Sequence, residues 1–146
     1  MGYFIFIFPL LIIGMLALIS FIISKMGWDD LYANYPASTE FSGQRIGIIT
    51  AAVNNANYKN SLVLKYNEEG IYLRPVLIFR LFHKPILIPW KEIKEVRQKK
   101  ILIFSYTELI IGNPFVAVIK ISKSTFTKLE YLISQRTTNF NRTLNQ

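Results

Sequence analysis

Residues Tyr3 to Ser24 read YFIFIFPLLIIGMLALISFIIS, a stretch without one charge. At about 1.5 Å per residue, roughly twenty apolar residues suffice for a helix to cross the hydrocarbon core of a bilayer. All 17 Lys and Arg residues and all 9 Asp and Glu residues lie C-terminal to this run, so the chain divides into an apolar anchor and a basic polar part. The run has no basic leader, exceeds the usual apolar segment of a cleaved signal and meets no A-x-A site before Lys25, so an uncleaved signal-anchor is expected. Phe6 stands where a myristoylation signal wants Ser or Thr. Because every basic residue follows the span, the polar part is expected on the cytoplasmic side.

Beyond the anchor and a connector, about 100 residues remain, enough for one small domain with its own core. A net charge of +8 would suit nucleic acid in a soluble protein, but a basic domain tethered to a membrane meets anionic headgroups first. The expected partners are therefore the lipid bilayer, with anionic lipids or a membrane protein partner. Zero Cys removes disulfides, thiol nucleophiles and Cys-type metal sites.

After Lys25 comes a connector in which Trp28, Leu31, Tyr32 and Tyr35 fall at i, i+3, i+4 and i+7, one face of a short helix ended by Pro36. Trp and Tyr suit the membrane interface, and the same stripe equally suits packing onto the domain. Residues 37–44 read as linker. From Arg45 the period shortens to two, which predicts strands at 46–53, 61–66, 71–74, 77–82, 86–88, 93–98, 101–107 extending to 111, and 116–121. The Asn67-Glu68-Glu69-Gly70 turn sets Leu62, Leu64 and Tyr66 opposite Ile71 and Leu73. Residues 124–136 place Phe126, Leu129, Leu132 and Ile133 on one helical face, with Ser122 or Ser124 as N-cap. The tail, 137–146, has little to bury.

The expected organisation is a transmembrane anchor at 1–26, a juxtamembrane helix and linker at 27–44, a domain at 45–136 and a flexible tail at 137–146. The fold class is α+β: a transmembrane helix, then antiparallel strands closed by one C-terminal helix. That element order is similar to a pleckstrin-homology-like barrel, an analogy of fold that leaves function open.

Two segments carry a more specific likeness. GWDDLYANYP supplies Gly27, Trp28, Leu31, Tyr35 and Pro36; EGIYLRPVLIFRLFHKPILIPWKEI supplies Gly70, Tyr72, Leu73, Phe79, Arg80, His83, Pro85, Ile88, Pro89, Trp90, Glu92 and Ile93. With the anchor ahead of them, they resemble a family of small bacterial membrane proteins with a leading transmembrane helix. The I-P-W-x-E-I piece also resembles a strand-turn-strand of PH-like and GRAM-like domains. The resemblance implies the barrel and an inner-membrane location; it supplies no catalytic or binding residues.

Chemistry finds little purchase. His83 is the sole His, so a Ser-His-acid triad has one possible base, and a metal site would need carboxylates elsewhere. Its Phe82-His83-Lys84-Pro85 setting reads as a turn. Asp29-Asp30 and Glu68-Glu69 are sequence neighbours that diverge instead of converging on a substrate. The seven Gly are scattered singly, with no phosphate loop. Neither catalysis nor a cofactor or metal is expected. The best polar candidate is Lys91, Lys94, Arg97, Lys99 and Lys100, read either as a charged edge strand and hairpin tip or as a contact for headgroups or an acidic partner. A second function class, an accessory subunit of a membrane complex, would use Gly14, Ser20 and Ser24 to pack the span.

Overall fold

The computed structural model describes residues 3–136. Helix α1 (Tyr3–Ile23) is long and apolar enough to cross a bilayer, and Ser20 is its sole buried residue. A π-type turn (Ser24–Trp28) joins it to α2 (Asp29–Asn34), with the bend at Met26 and Gly27. Gly27 has φ +136, and a Cβ there would lie 2.5 Å from the Asn54 side chain, so only glycine turns the chain this tightly against the domain.

Seven antiparallel strands follow: β1 (Gln44–Val53), β2 (Ala56–Tyr66), β3 (Gly70–Pro75), β4 (Ile86–Pro89), β5 (Ile93–Ile101), β6 (Phe104–Ile111) and β7 (Ala117–Ser122). They form one sheet in the order β4-β3-β2-β1-β7-β6-β5. The two edge strands, β4 and β5, are joined only by a short turn, Trp90–Glu92. Four Cα steps reach about 15 Å at most, whereas a flat seven-stranded sheet would hold its edges roughly 29 Å apart. The sheet therefore curls into a half-barrel. Helix α3 (Lys123–Arg136) closes it, with Phe126, Leu129 and Ile133 buried and the Ser122 hydroxyl accepting the Thr125 N–H at 3.2 Å as N-cap. The interior, lined by residues such as Ile49, Leu73, Ile119 and Leu129, keeps only about 10 Å³ of apolar space, so it is a packed core with no room for a ligand.

The β2–β3 hairpin has the expected register, Leu64 opposite Leu73 and Tyr66 opposite Ile71. The expected strand at 77–82 does not form. Because β3 pairs with β4 from Gly70↔Pro89 to Leu73↔Ile86, residues 76–85 lie beyond the ladder with no strand to receive them, and Leu77–Phe79 make a 3-10 turn. The connector is also not a separate unit. Leu87 N–H donates to Tyr35 O, Ala37 N–H donates to Pro85 O, and Pro36 bridges Ile86, so residues 35–37 cover the β4 edge. The expected tail at 137–146 lies outside the described residues.

Candidate functional site

Trp28 and Leu31 are fully buried, so of the two partners open to their face, membrane interface or domain, these two side chains take the domain. They belong to the hydrophobic core, and Tyr32 and Tyr35 are half-buried against it. Desolvating the indole inside protein satisfies its N–H as well: Trp28 Nε1 donates to Lys84 O at 2.8 Å, and its ring meets Tyr58 and His83 at 5.5 and 5.4 Å between centroids. The Tyr35 hydroxyl donates to Glu92 Oε2, and burial together with that carboxylate pushes its pKa up to about 12. The connector and the segment 69–93 thus lie side by side.

His83 follows the turn at 80–82 and is buried. Its Nδ1 is 3.0 Å from Phe79 O and 3.5 Å from Ser20 Oγ, and its Nε2 is 3.0 Å from the Tyr58 hydroxyl. A neutral ring fits this set, with Nδ1–H donating to the Phe79 carbonyl and Nε2 accepting from Tyr58. Sequence offered no sign of it, because Ser20 and Tyr58 are 63 and 25 residues away. Ser24, also buried, donates to Phe21 O. Ser20 therefore serves the joint between α1 and the domain, while the Ser24 hydroxyl stays within its own helix and Gly14 has open space around it.

Burial lowers the His83 pKa below its ordinary 6.5, against smaller opposing effects of the Phe79 carbonyl and Asp29. Below about 6.5 the unfolded chain binds a proton that the folded chain refuses, so stability should fall as pH drops, by at most about 1.4 kcal/mol per unit, and be complete above that range. Denaturant midpoints followed from neutral to mildly acidic pH check this, and His83→Gln should flatten the slope.

The basic residues do not form one patch. Lys91 sits in the turn before β5 and Lys100 near its far end, roughly 27 Å apart along an extended strand. Arg97 is held by Glu95 through two bonds of 2.7 and 2.8 Å, which lowers the Glu95 pKa. Lys94 lies 3.9 Å from Glu92, and Lys99 lies 3.2 Å from the buried carboxylate of Glu108, which Lys120 also approaches. Lys91 and Lys100 make no ion pair among the described residues.

The hairpin tip is likewise not Arg97–Lys100. Strand β5 continues to Ile101, which pairs with Phe104 across a two-residue turn, Leu102-Ile103. Ile101, Leu102, Ile103 and Phe104 are 57, 85, 83 and 70% exposed. Leu102 has φ +56, a conformation that favours glycine and that an L side chain adopts at a cost of about 1–2 kcal/mol. The sequence signal was there, four consecutive apolar residues beside Lys99-Lys100, but such a run reads equally as a strand and falls within the one expected at 101–107. Phe104 to Ile111 spans about 24 Å of extended chain. The far end of that strand lies beside the Trp90–Glu92 turn, where Gly112 N–H donates to Glu92 O, and α2 lines the same cleft.

Among the described residues no three His, Asp or Glu side chains converge as metal ligands. An open cleft of about 590 Å³ between α2 and the β6–β7 turn is lined by Asp30, Asn34, Tyr35, Glu92 and Phe115 and brings together two carboxylates. A scan against protein-family models and searches of curated proteins and of solved structures gave no match.

Proposed function

We propose that this is a single-pass membrane protein of the bacterial inner membrane whose PH-like half-barrel stands at the cytoplasmic face and binds a protein partner through the β5–β6 hairpin. Its role is binding, without catalysis. Leu102 carries the reading: a bulky apolar residue placed at a positive φ and left in water violates both turn chemistry and burial, and such violations concentrate where function requires them. Three further features support a protein over headgroups. The tip lies at the far end of β6 from α2, the neighbouring cations Arg97 and Lys99 are engaged by Glu95 and Glu108, and β5 pairs with β6 alone, which leaves its other edge for an incoming strand.

The test separates stability from binding. Replacing Leu102→Gly with Ile103→Ser relieves the backbone strain, so the purified variant should be as stable as the parent or gain about 1 kcal/mol. A photocrosslinker at Phe104 in native membranes should capture a defined protein from the parent, and that product should vanish in the double variant. Crosslinks to lipid alone would assign the tip to a bilayer and overturn the reading, as would an unchanged protein product.

A further inference from the structure

Outside α1 and the β5–β6 tip, large apolar side chains also face outward along the β3–β4 connection, residues 76–85. Val76 to Lys84 reads VLIFRLFHK, without a carboxylate. Leu77 and Leu81 are 75 and 72% exposed, and Phe82 is partly exposed. The connection is not loose: Val76 N–H donates to Ser61 O, His83 bonds Phe79 O, and Lys84 O accepts from Trp28. Its leucines are thus held outward by a fixed backbone.

The position of this connection names what it faces. Phe82 packs edge-on against Phe21 with ring centroids 5.4 Å apart, and His83 reaches Ser20. Ser20 and Phe21 belong to the last turn of α1, within about 4.5 Å of its end along the axis. A helix of 21 residues is about 31 Å long, close to the thickness of the hydrocarbon core, so its last turn lies at the boundary between acyl chains and headgroups. The exposed apolar surface of α1 therefore continues across Phe21 and Phe82 onto the β3–β4 connection.

On the reading that α1 spans a bilayer, we infer that the β3–β4 connection is a second membrane attachment, with Leu77, Leu81 and Phe82 immersed at the acyl boundary of the leaflet from which α1 emerges. Arg80 and Lys84, both exposed, flank these side chains and reach headgroup phosphates, as long cationic side chains do at interfaces. One helix alone leaves a domain free to swivel. A second contact fixes which side faces the lipid and leaves the β5–β6 tip turned to the aqueous phase.

The chain has no Cys, so single cysteines can be placed at will. The full chain carrying Leu77→Cys or Leu81→Cys, labelled with an environment-sensitive fluorophore, is reconstituted in phosphatidylcholine vesicles with and without phosphatidylglycerol. Ile13→Cys, Leu102→Cys and Tyr131→Cys serve as references. The labels at 77 and 81 should be blue-shifted, quenched by nitroxides near the top of the acyl chains and several-fold less open to aqueous iodide than those at 102 and 131. If the label at 13 is deep in lipid while those at 77 and 81 match 131, the attachment is refuted and the anchor stands. If the label at 13 is also in water, the anchor reading falls and takes this inference with it. Protection of 77 and 81 in native membranes but not in pure lipid would assign the surface to a protein and overturn it too.

Discussion

Trp28→Ala should cost the folded domain about 3–5 kcal/mol, the usual range for emptying a buried indole site. The side chain is fully buried, touches Tyr58 and His83, and satisfies the Lys84 carbonyl, which would be left without its donor. Small domains have total stabilities of about 5–15 kcal/mol, so the loss is about a fifth or more of what holds the fold together. Chemical denaturation of the full chain in detergent measures it, with Tyr131→Ala, at an exposed site, as the near-neutral reference. A stability equal to that of the parent would mean that the connector lies on lipid and not in the core.

Gly70→Ala should be nearly as damaging, by about 3 kcal/mol, the upper end of overpacking costs. A Cβ at Gly70 would stand 2.0 Å from Ile88 O and 2.8 Å from Pro89 Cα, both backbone atoms of the neighbouring strand, so no side-chain rotation relieves it. Strand β4 must shift, and with it Trp90, whose Nε1 donates to Asn67 O and whose N–H donates to Glu69 O around the same turn. Gly14→Ala, with nothing near its Cβ, should leave denaturation unchanged. If Gly70→Ala unfolds at the parental midpoint, the close β3–β4 approach is wrong.

Strands and the closing helix were legible wherever local pattern and turn chemistry agreed. Leu62, Leu64 and Tyr66 alternate, Asn67 and Gly70 bound a turn, and the hairpin forms in the register those residues imply. Phe126, Leu129 and Ile133 repeat at helical spacing and are buried as that spacing requires. Two departures had one cause: short, mainly apolar runs carry no periodicity that distinguishes a buried strand from an exposed loop. The run at 77–82 became a loop beside α1, and 101–104 became a hairpin tip. A single sequence also leaves unstated which partner an amphipathic stripe covers, so the burial of Trp28 and Leu31 needed the tertiary fold. The contacts of His83 with Ser20 and Tyr58 are set by how α1 and the sheet dock, far beyond any local window.

The proposals rest on α1, long and apolar enough to cross a bilayer, spanning one and carrying the half-barrel with it. Alkaline extraction of membranes bearing the full chain tests it directly, because the treatment strips surface-bound proteins and spares those held by a spanning helix. The intact chain should stay in the membrane pellet, and Trp28→Ala should stay there too while its domain becomes protease-sensitive. Recovery of the uncut chain in the soluble fraction would contradict the account.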